Sequence, residues 1–314
     1  AYETEEFSRL GQKELSSNFM SLHGKWRFNW VRNADERPDD FFRTNFNDNY
    51  WKFINVPGMW ELNGYGDPVY LNIGYPWRND FTNNPPYVPL RNNHVGSYRR
   101  EIEISETWGN KDVFIHFGGV TSNIYVWVNG KFVGYSEDSK LEAEFNITDY
   151  VKTGKNLIAF QVFRWCDGTY LEDQDMLRLS GVNRDCYLFA RNKQRIQDIK
   201  ITPTLDDKYK NASVELLYNF SRSTLGSQIE FDFQDDNGNV LYSKQYNIEK
   251  AQTKITFLVK NPQKWSAETP YLYSLVSRLK DKNGDILEVI PNKVGFKKVE
   301  IKDAQLLVNG KAVL

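Results

Sequence analysis

The segment NIYVWVNGKFVGYS, residues 123–136, decides the fold class of this chain. Its first half alternates β-branched and aromatic residues, which is the pattern of a β-strand, and its second half is similar. The dipeptide Asn129-Gly130 stands between the halves, and Asn-Gly readily adopts the positive φ angles that a two-residue hairpin turn requires. The segment therefore predicts two antiparallel strands joined by a tight turn.

Strand patterns extend in both directions from this hairpin, and long helical periodicity is absent. GSYRREIEI (96–104) and DVFIHF (112–117) precede the hairpin, and NLIAFQVFRW (156–165) and DCYLFA (185–190) follow it. Such a series of strands with long loops between them favours a jelly-roll β-sandwich. We assign residues 1–192 to this domain.

A second series of strand patterns begins after residue 192, and turn signals such as DDNGN (235–239) and DKNGD (281–285) separate its strands. Strands of this length predict an immunoglobulin-like β-sandwich over residues 193–302, so the fold class is all-β. The last segment, AQLLVNGKAVL (304–314), has the pattern of a strand, a turn and the start of another strand, with nothing to complete the pairing. Since unpaired strand edges invite association, we expect residues 303–314 to begin a further domain.

Composition bounds the possible functions. The 314 residues are enough for two domains, and 40% hydrophobic residues argue against disorder. Lys and Arg (40) balance Asp and Glu (41) without a basic block, so we expect no nucleic-acid partner. No apolar run approaches the roughly 18 residues of a membrane span. No signal peptide is visible, and we expect a cytoplasmic or periplasmic protein.

Motifs for nucleophilic, metal or nucleotide chemistry are missing. None of the three histidines stands in a zinc-binding spacing, and His116 lies in an apolar strand that favours a packed core position. Two cysteines, Cys166 and Cys186, are too few for a disulfide framework. A single bridge between them is conceivable, and two buried free thiols are the alternative.

The stretch RWCDGTYLEDQDMLRLSG (164–181) is too long and too charged for an ordinary surface turn. Its acids can fix the loop through backbone N–H groups and arginines, or bind sugar hydroxyls or a hard cation, or form a glycosidase acid pair. The residue pattern alone leaves these three interpretations open. Two further loops, 57–77 and 83–98, share its polar and aromatic mixture and can either build a binding site or simply cap the sandwich.

Several segments together resemble the large bacterial β-galactosidases of glycoside hydrolase family 2. The resemblance covers nearly the whole chain and is weakest in the first 20 residues and in 205–255. It is carried by these segments in the order of the family: DPVYLNIGYPW, NNPPYVPLRNNHVGSYRR, RWCDGTYLEDQDMLRLSGVNRDCYLFA, NPQKWSAETPYLYSLV, VGFKKVEI and LLVNGKAVL.

The resemblance implies a sugar-binding jelly roll, an immunoglobulin-like domain and a TIM barrel with two catalytic glutamates that act with retention. It implies that the barrel follows Leu314, so we expect no catalytic residue in this chain, and we expect this part alone to be inactive. Na⁺ and Mg²⁺ are expected in the complete enzyme, with none bound by this part alone. The complete enzyme is expected to be a homo-oligomer.

Two positions match family residues that contact the substrate. Asp167 matches the jelly-roll aspartate that binds galactose and a sodium ion completed by the barrel. Asn72 matches an asparagine that lines the galactose pocket. Cys166 departs from the family, where a serine commonly precedes the aspartate, and a thiol is the weaker hydrogen-bonding group.

The sequence therefore predicts part of an enzyme that hydrolyses terminal β-D-galactose residues and supplies one wall of its galactose pocket. Alternative hypotheses are a free-standing carbohydrate-binding module, a purely structural interaction fragment, and a related family 2 glycosidase such as a β-glucuronidase or β-mannosidase. The natural galactoside is not readable from the residues.

Overall fold

The computed structural model describes residues 1–313, with Arg222 described by its backbone alone, and divides into two compact units. The first sandwich is formed by Ser17–Arg191. The second unit is formed by Ala1–Ser16 together with Asn192–Leu314. Both units are built from antiparallel strands, which confirms the all-β prediction. Leu314, the last residue of the predicted segment 303–314, lies outside the described residues.

Fifteen of the described strands belong to the first sandwich, together with four 3₁₀ turns at Ala34–Glu36, Glu61–Asn63, Glu106–Trp108 and Asp167–Leu171. The strands are β1 (Phe19–Ser21), β2 (Gly24–Val31), β3 (Lys52–Val56), β4 (Gly58–Met59), β5 (Val69–Leu71), β6 (Val95–Ile104), β7 (Asp112–Phe117), β8 (Val120–Thr121), β9 (Ile124–Val128), β10 (Lys131–Ser136), β11 (Ala143–Asn146), β12 (Gly154–Phe163), β13 (Met176–Arg178), β14 (Gly181–Val182) and β15 (Cys186–Arg191).

The two main sheets of the first sandwich are six-stranded, in the order β10-β9-β12-β6-β2-β3, and four-stranded, in the order β1-β15-β7-β11. Alternate residues of each strand enter one shared core, because successive side chains of a strand point to opposite faces. On β9, Ile124, Val126 and Val128 are buried, whereas Tyr125 and Trp127 face outward. Two small sheets, β13-β5 and β4-β14-β8, carry the long loops, and the jelly-roll prediction is confirmed.

The structure confirms the hairpin at residues 123–136. Lys131 pairs with Val128, and Asn129 and Gly130 take φ values of 51° and 83°. Both angles lie in the left-handed region that a two-residue turn between antiparallel strands requires.

The second unit contains one α-helix, Glu5–Leu10, and 3₁₀ turns at Lys13–Leu15 and Arg222–Thr224 in the described residues. Its sheets have the orders β16-β17-β20, β19-β18-β21-β22 and β23-β24-β25, and the first two enclose an immunoglobulin-like core. The strands are β16 (Ile196–Leu205), β17 (Ala212–Phe220), β18 (Gln228–Gln234), β19 (Val240–Asn247), β20 (Gln252–Val259), β21 (Tyr273–Lys280), β22 (Ile286–Val294), β23 (Val299–Lys302), β24 (Gln305–Val308) and β25 (Lys311–Ala312).

The structure differs from the predicted domain of residues 1–192 at its start, since residues 1–16 belong to the second unit. Tyr2 and Val289 exchange backbone hydrogen bonds of 2.9 and 2.8 Å, and Glu5 Oε1 lies 2.6 Å from Nε of the buried Arg278. These contacts join residues far apart in sequence, so the local pattern of residues 1–16 gives no sign of them.

The end of the chain also differs from the sequence-based prediction. Within residues 304–313, the predicted strand and turn have a partner, because Val299 pairs with Val308 while Leu307 pairs with Ala312. The strand that supplies this partner, β23, lies at the end of the range predicted for the immunoglobulin-like domain. A three-stranded meander therefore closes the described chain.

The structure also bears on the predictions for His116, for the two cysteines and for membrane spans. His116 is buried and stacks on Tyr187 with 4.5 Å between ring centroids, which fits the predicted core position. Cys166 and Cys186 are both buried and free, so no disulfide joins them. Within residues 1–313, no helix has the length and apolar character needed to cross a membrane.

Candidate functional site

The charged loop 164–181 leaves the end of β12 and is fixed at both of its ends. At the first end, Trp165 N–H donates to Asn93 Oδ1 (2.9 Å) and Asn93 Nδ2 donates to the Trp165 carbonyl (3.0 Å). At the other end, Ser180 N–H donates to Glu61 Oε2 (2.9 Å) and the Ser180 carbonyl accepts from Trp60 N–H (2.9 Å). The side chains of Asn93 and Glu61 and the backbone of Trp60 thus take the place of a strand partner, and they fix both the entry and the exit of the loop.

Arg164 is buried directly beneath the start of the loop. Its Nη1 lies 3.2 Å from Nδ1 of His94, and its backbone N–H donates to the His94 carbonyl (2.8 Å). Burial and the neighbouring Arg164 charge lower the pKa of His94 to about 4, so this imidazole is neutral and accepts from the guanidinium at neutral pH. His94 therefore supports the start of the loop through its ring and its backbone carbonyl.

Aromatic side chains fill the space under the loop. Trp77, Trp165 and Tyr170 form a small buried cluster, and Phe81 packs against it. The Tyr170 hydroxyl donates to the Tyr87 carbonyl over 2.7 Å, which ties the charged loop to loop 83–98. The charged loop and loop 83–98, which the sequence indicates as possible binding segments, are therefore in direct contact.

Some acids and arginines of the loop fix its conformation, which is one of the three interpretations of the sequence. Glu172 Oε1 accepts from Ser139 N–H (2.9 Å), and Glu172 Oε2 lies 3.9 Å from Arg178 Nη1. Arg178 also donates to the Gln174 side chain and carbonyl (3.2 and 3.0 Å). Glu172 and Arg178 thus brace the loop, while Asp173 is exposed.

Asp167 opens the 3₁₀ turn Asp167–Leu171, and the backbone donors on both sides of it are satisfied by other residues. Cys166 N–H donates to Thr169 Oγ1 (3.0 Å), and Gly168 N–H donates to Glu137 Oε2 (3.1 Å). Within residues 1–313, no group donates a hydrogen bond to the exposed carboxylate of Asp167. The backbone at Asp167 is therefore fixed, and its carboxylate remains free to accept bonds from a ligand.

The Asp167 turn borders a cavity of about 200 Å³, which we call the Asp167 cavity. Its walls combine stiff loop residues with aromatic and polar side chains, as in small-molecule sites generally. The lining residues are Ala34, Pro86, Val88, Pro89, Leu90, Asn93, Asn123, Tyr125, Tyr135, Phe163, Trp165, Cys166 and Asp167.

Two tyrosines give the Asp167 cavity hydrogen-bonding groups. Tyr125 and Tyr135 lie with ring centroids 4.5 Å apart, and Asn123 Nδ2 donates to the Tyr135 hydroxyl over 3.4 Å. Burial raises the pKa of both tyrosines, so each stays a neutral phenol that can donate and accept.

Oxygen and sulfur atoms of Glu137, Cys166 and Asp167 lie within 4.8 Å of one another. Burial raises the pKa of the Cys166 thiol to about 12, so it stays protonated at neutral pH and is a poor partner for a hard cation. Glu137 already accepts from Gly168 N–H. Of the three groups, the Asp167 carboxylate is the one that best fits a cation such as Na⁺, which prefers oxygen ligands.

Asn72, the second predicted site residue, follows β5 and is exposed. Its strand is linked to the charged loop, since Leu71 pairs with Met176 in the sheet β13-β5. Among the described residues, Asn72 is not part of the lining of the Asp167 cavity. The structure thus connects the segments of Asn72 and Asp167 without placing the two side chains in one cavity.

Sequence reasoning missed Glu137, Asn93 and the two cavity tyrosines. Glu137 follows β10 directly, and Asp167 comes shortly after the end of β12. Both strands are antiparallel to β9, so they run in the same direction and end at the same edge of the sheet. The hairpin pattern gives the direction of β10 relative to β9, but the pairing of β12 with β9, which brings Asp167 to the same edge, joins residues distant in sequence.

Two family models match the chain in succession. Residues 19–192 match the model described as glycosyl hydrolases family 2, sugar binding domain, and residues 194–297 match the model described as glycosyl hydrolases family 2. The boundary between the matches lies close to the boundary at Arg191 between the two units.

Relatives with assigned names are similar over nearly the whole chain. A protein named beta-galactosidase from Priestia megaterium is 39% identical over 322 residues, which cover 100% of this chain and 31% of the relative. A beta-galactosidase from Photobacterium profundum is 40% identical, over 94% of this chain and 29% of the relative. The chain thus spans about 30% of the length of these relatives.

Solved structures show the same fold at lower identity. A beta-glycosidase from Bacteroides vulgatus has a TM-score of 0.72 at 24% identity, over 94% of this chain and 36% of that protein. A beta-glucuronidase from Bacteroides uniformis has a TM-score of 0.74 at 18% identity, over 93% of this chain and 34% of that protein. At these identities the likeness shows the fold alone.

Proposed function

Because the chain belongs to glycoside hydrolase family 2, we propose that it is part of a β-galactosidase that hydrolyses terminal non-reducing β-D-galactose residues with retention. In this proposal the chain supplies one wall of the galactose pocket. The observation that carries the proposal is the carboxylate of Asp167, to which no described residue donates, on a hydrogen-bonded turn at the rim of an aromatic cavity. The names of the relatives at this level of identity support a galactoside over other substrates.

The chain contributes binding and orientation, while the two catalytic glutamates lie in a TIM-barrel domain outside it. Asp167 accepts hydrogen bonds from galactose hydroxyls, and an ionised acceptor makes such bonds stronger. The rigid turn matters because a displacement of about 1 Å can cost on the order of a hundredfold in rate. Asn72, from the neighbouring loop, offers an amide to the same sugar.

Exposed apolar side chains on the same loops support a covering domain. Leu62, Ile73 and Tyr87 are each 73% exposed, and Leu171 is 85% exposed. Apolar groups gathered around a polar site mark surfaces that a partner covers. We propose that the catalytic barrel covers these side chains in the complete enzyme.

A sodium ion completes the proposed role of Asp167. The carboxylate is free to supply one oxygen ligand, and the barrel supplies the remaining ligands. The complete enzyme should therefore be activated by Na⁺, and Asp167→Asn should raise the Na⁺ concentration needed for half-maximal activity about tenfold or more. An unchanged Na⁺ response in this variant would remove Asp167 from the ion site.

The substrate class is tested on the complete enzyme with 4-nitrophenyl glycosides. We expect hydrolysis of the β-galactoside and little or none of the β-glucuronide or β-mannoside, with the β-anomer of galactose as the first product by NMR. The 314-residue chain alone should not turn over any of the three. Preference for the glucuronide would show instead that the enzyme is one of the related family 2 glycosidases.

One observation favours a second candidate, a free-standing carbohydrate-binding module. The Asp167 cavity is formed within a single unit, so it does not depend on another domain for its shape. Calorimetric titration of the chain with galactose separates the candidates. If the chain forms one wall of an enzyme's galactose pocket, its Kd for galactose should be in the millimolar range or weaker. If it is a free-standing binding module, the Kd should be about 10 μM or tighter.

A further inference from the structure

A second cavity lies on the outer face of the six-stranded sheet and has a volume of about 210 Å³. Rings of Tyr125, Trp127 and Phe163 line one side of it, and Arg37 and Asp39 line another. We call it the Trp127 cavity. Neither Trp127 nor the Arg37–Asp39 pair belongs to the lining of the Asp167 cavity, so the role proposed for Asp167 does not explain them.

The aromatic wall is built by the outward residues of two paired strands. Trp127 stacks with Tyr125 at 6.1 Å between ring centroids and 23° between the planes, and its cross-strand partner Phe132 lies 5.6 Å away. Such pairs stabilise a sheet. Phe42 stacks on one face of Trp127 with 5.2 Å between ring centroids and 5° between the planes, so the cavity meets only the rest of the indole, together with Tyr125 and Phe163.

The polar wall places a donor and an acceptor side by side. Arg37 Nη2 lies 3.5 Å from Asp39 Oδ1, and the guanidinium carbon lies 5.7 Å from the centre of the Phe163 ring. Arg37 Nη1 donates to the Ala34 carbonyl over 2.7 Å, which fixes the position of the side chain. The Asp39 side chain is 83% exposed, so both charges can reach a ligand.

The two cavities share a wall, since Tyr125 and Phe163 line both of them. Aromatic faces that are flanked by a paired cation and anion suit a neutral ligand with an apolar face and neighbouring hydroxyls. The opposite charges of Arg37 and Asp39 argue against a strongly charged ligand. A sugar ring has this combination of an apolar C–H face and hydroxyl groups.

We propose that the Trp127 cavity is a second carbohydrate site, which binds a sugar unit of a neutral oligosaccharide against Tyr125 and Trp127. Arg37 donates to one hydroxyl of this sugar and Asp39 accepts from a neighbouring one. The inference rests on the proposed function only for the kind of sugar, a galactose-containing oligosaccharide. Its residues are distinct from Asp167 and Asn72.

NMR titration of the 314-residue chain tests the site, with β-1,4-galactobiose as the probe and methyl β-D-galactoside for comparison. Galactobiose should shift the indole N–H signal of Trp127, with a Kd of about 1–10 mM. Arg37→Ala and Asp39→Ala should each weaken this binding about tenfold, because each removes a hydrogen bond to a charged group. Asp40→Ala is the matched control, since Asp40 is an exposed neighbour that does not line the cavity.

Two results would overturn the inference: galactobiose leaves the Trp127 signal unchanged at about 50 mM, well above the expected Kd, or the Arg37 and Asp39 variants bind it like Asp40→Ala. Asp167→Asn separates this inference from the proposed function. If that variant still binds galactobiose at Trp127, the second site stands by itself, even if Asp167 has no role in galactose binding. If Asp167→Asn abolishes the Trp127 shift, the second site is not independent and the inference fails.

Discussion

Two turns, one in each unit, begin with an aspartate and use its carboxylate differently. In the second unit, Asp235 accepts from the backbone N–H of Asn237 (3.0 Å) and Asn239 (2.8 Å) and from the Asn239 side chain (2.8 Å). In the first sandwich, Asp167 also opens a turn, but Thr169 and Glu137 accept from the nearby backbone donors. The carboxylate of Asp235 stabilises its own turn, whereas that of Asp167 is left for a ligand.

The comparison shows that an aspartate in a turn becomes available when neighbouring residues satisfy the backbone around it. Asp206 follows the pattern of Asp235, since it accepts from the N–H groups of Lys208, Lys210 and Asn211. Composition alone does not separate these aspartates from Asp167. The partners of the backbone N–H groups do separate them.

The sharpest test replaces the free carboxylate. In the complete enzyme, Asp167→Ala should lower kcat/KM on the order of a hundredfold, because the charged acceptor for the sugar is lost. The melting temperature of the chain should not change, since no described residue donates to this carboxylate. Steady-state kinetics and calorimetry measure the two effects.

Asp173→Ala is the matched control for this variant, because Asp173 is an exposed acid of the same loop outside the cavity lining. It should leave both kcat/KM and the melting temperature unchanged. A large loss of stability in Asp167→Ala would show that its carboxylate is structural after all, and the contrast with Asp235 would disappear.

The sequence predicts the sheets better than it predicts the partners of Asp167. Asn129-Gly130 fixes the hairpin because the turn geometry is local. The strand patterns likewise place the sandwich boundary near residue 192. Asp167 and Asn72 are named as site residues through the family resemblance, since the loop pattern alone left three interpretations open. Their roles stay predictions.

The elements that escaped prediction depend on contacts between residues distant in sequence. Glu137 reaches Gly168 only because β10 and β12 run in the same direction on either side of β9. Residues 1–16 join the second unit through Tyr2 and Glu5, in a segment without any strand pattern. Periodicity reports which face of an element is buried, but not which distant side chain meets it.

The next largest expected effect is a loss of stability when Glu172 is replaced. Like Asp235, this acid of the charged loop accepts a hydrogen bond from a backbone N–H. Glu172→Ala should lower the free energy of unfolding by about 1–3 kcal/mol, because it removes the acceptor for Ser139 N–H and the partner of Arg178. Denaturant unfolding measures this change. Glu172→Gln keeps an oxygen acceptor and should recover part of the loss, and an Ala variant as stable as the parent would mean that Glu172 does not brace the loop.

A smaller effect is expected at Asp235 itself. Asp235→Ala should lower the melting temperature by about 2–4 °C, because the turn loses three hydrogen bonds at an exposed position. Galactoside hydrolysis by the complete enzyme should be unchanged. If this variant lost activity while its melting temperature stayed the same, the roles assigned to the two aspartates would have to be exchanged.

The smallest effect is a pH dependence of the second unit. Hydrogen bonds from the side chain and the backbone of Asn239 hold the pKa of Asp235 below its ordinary value of 3.8. A carboxyl with a lowered pKa in the folded state stabilises the protein above its unfolded pKa, and this stability is lost as the pH falls through the folded pKa.

Asp235→Asn cannot titrate at this position. The difference in melting temperature between the parent and this variant should therefore be constant above about pH 5 and shrink steadily below about pH 4. Melting curves of the chain across this range measure the difference, with Asp206→Asn as a second site of the same kind, whose pKa is also lowered by backbone N–H groups. A difference that stays constant down to about pH 2 would mean that Asp235 gains nothing from its charge in the turn, and the distinction from Asp167 would then depend on exposure alone.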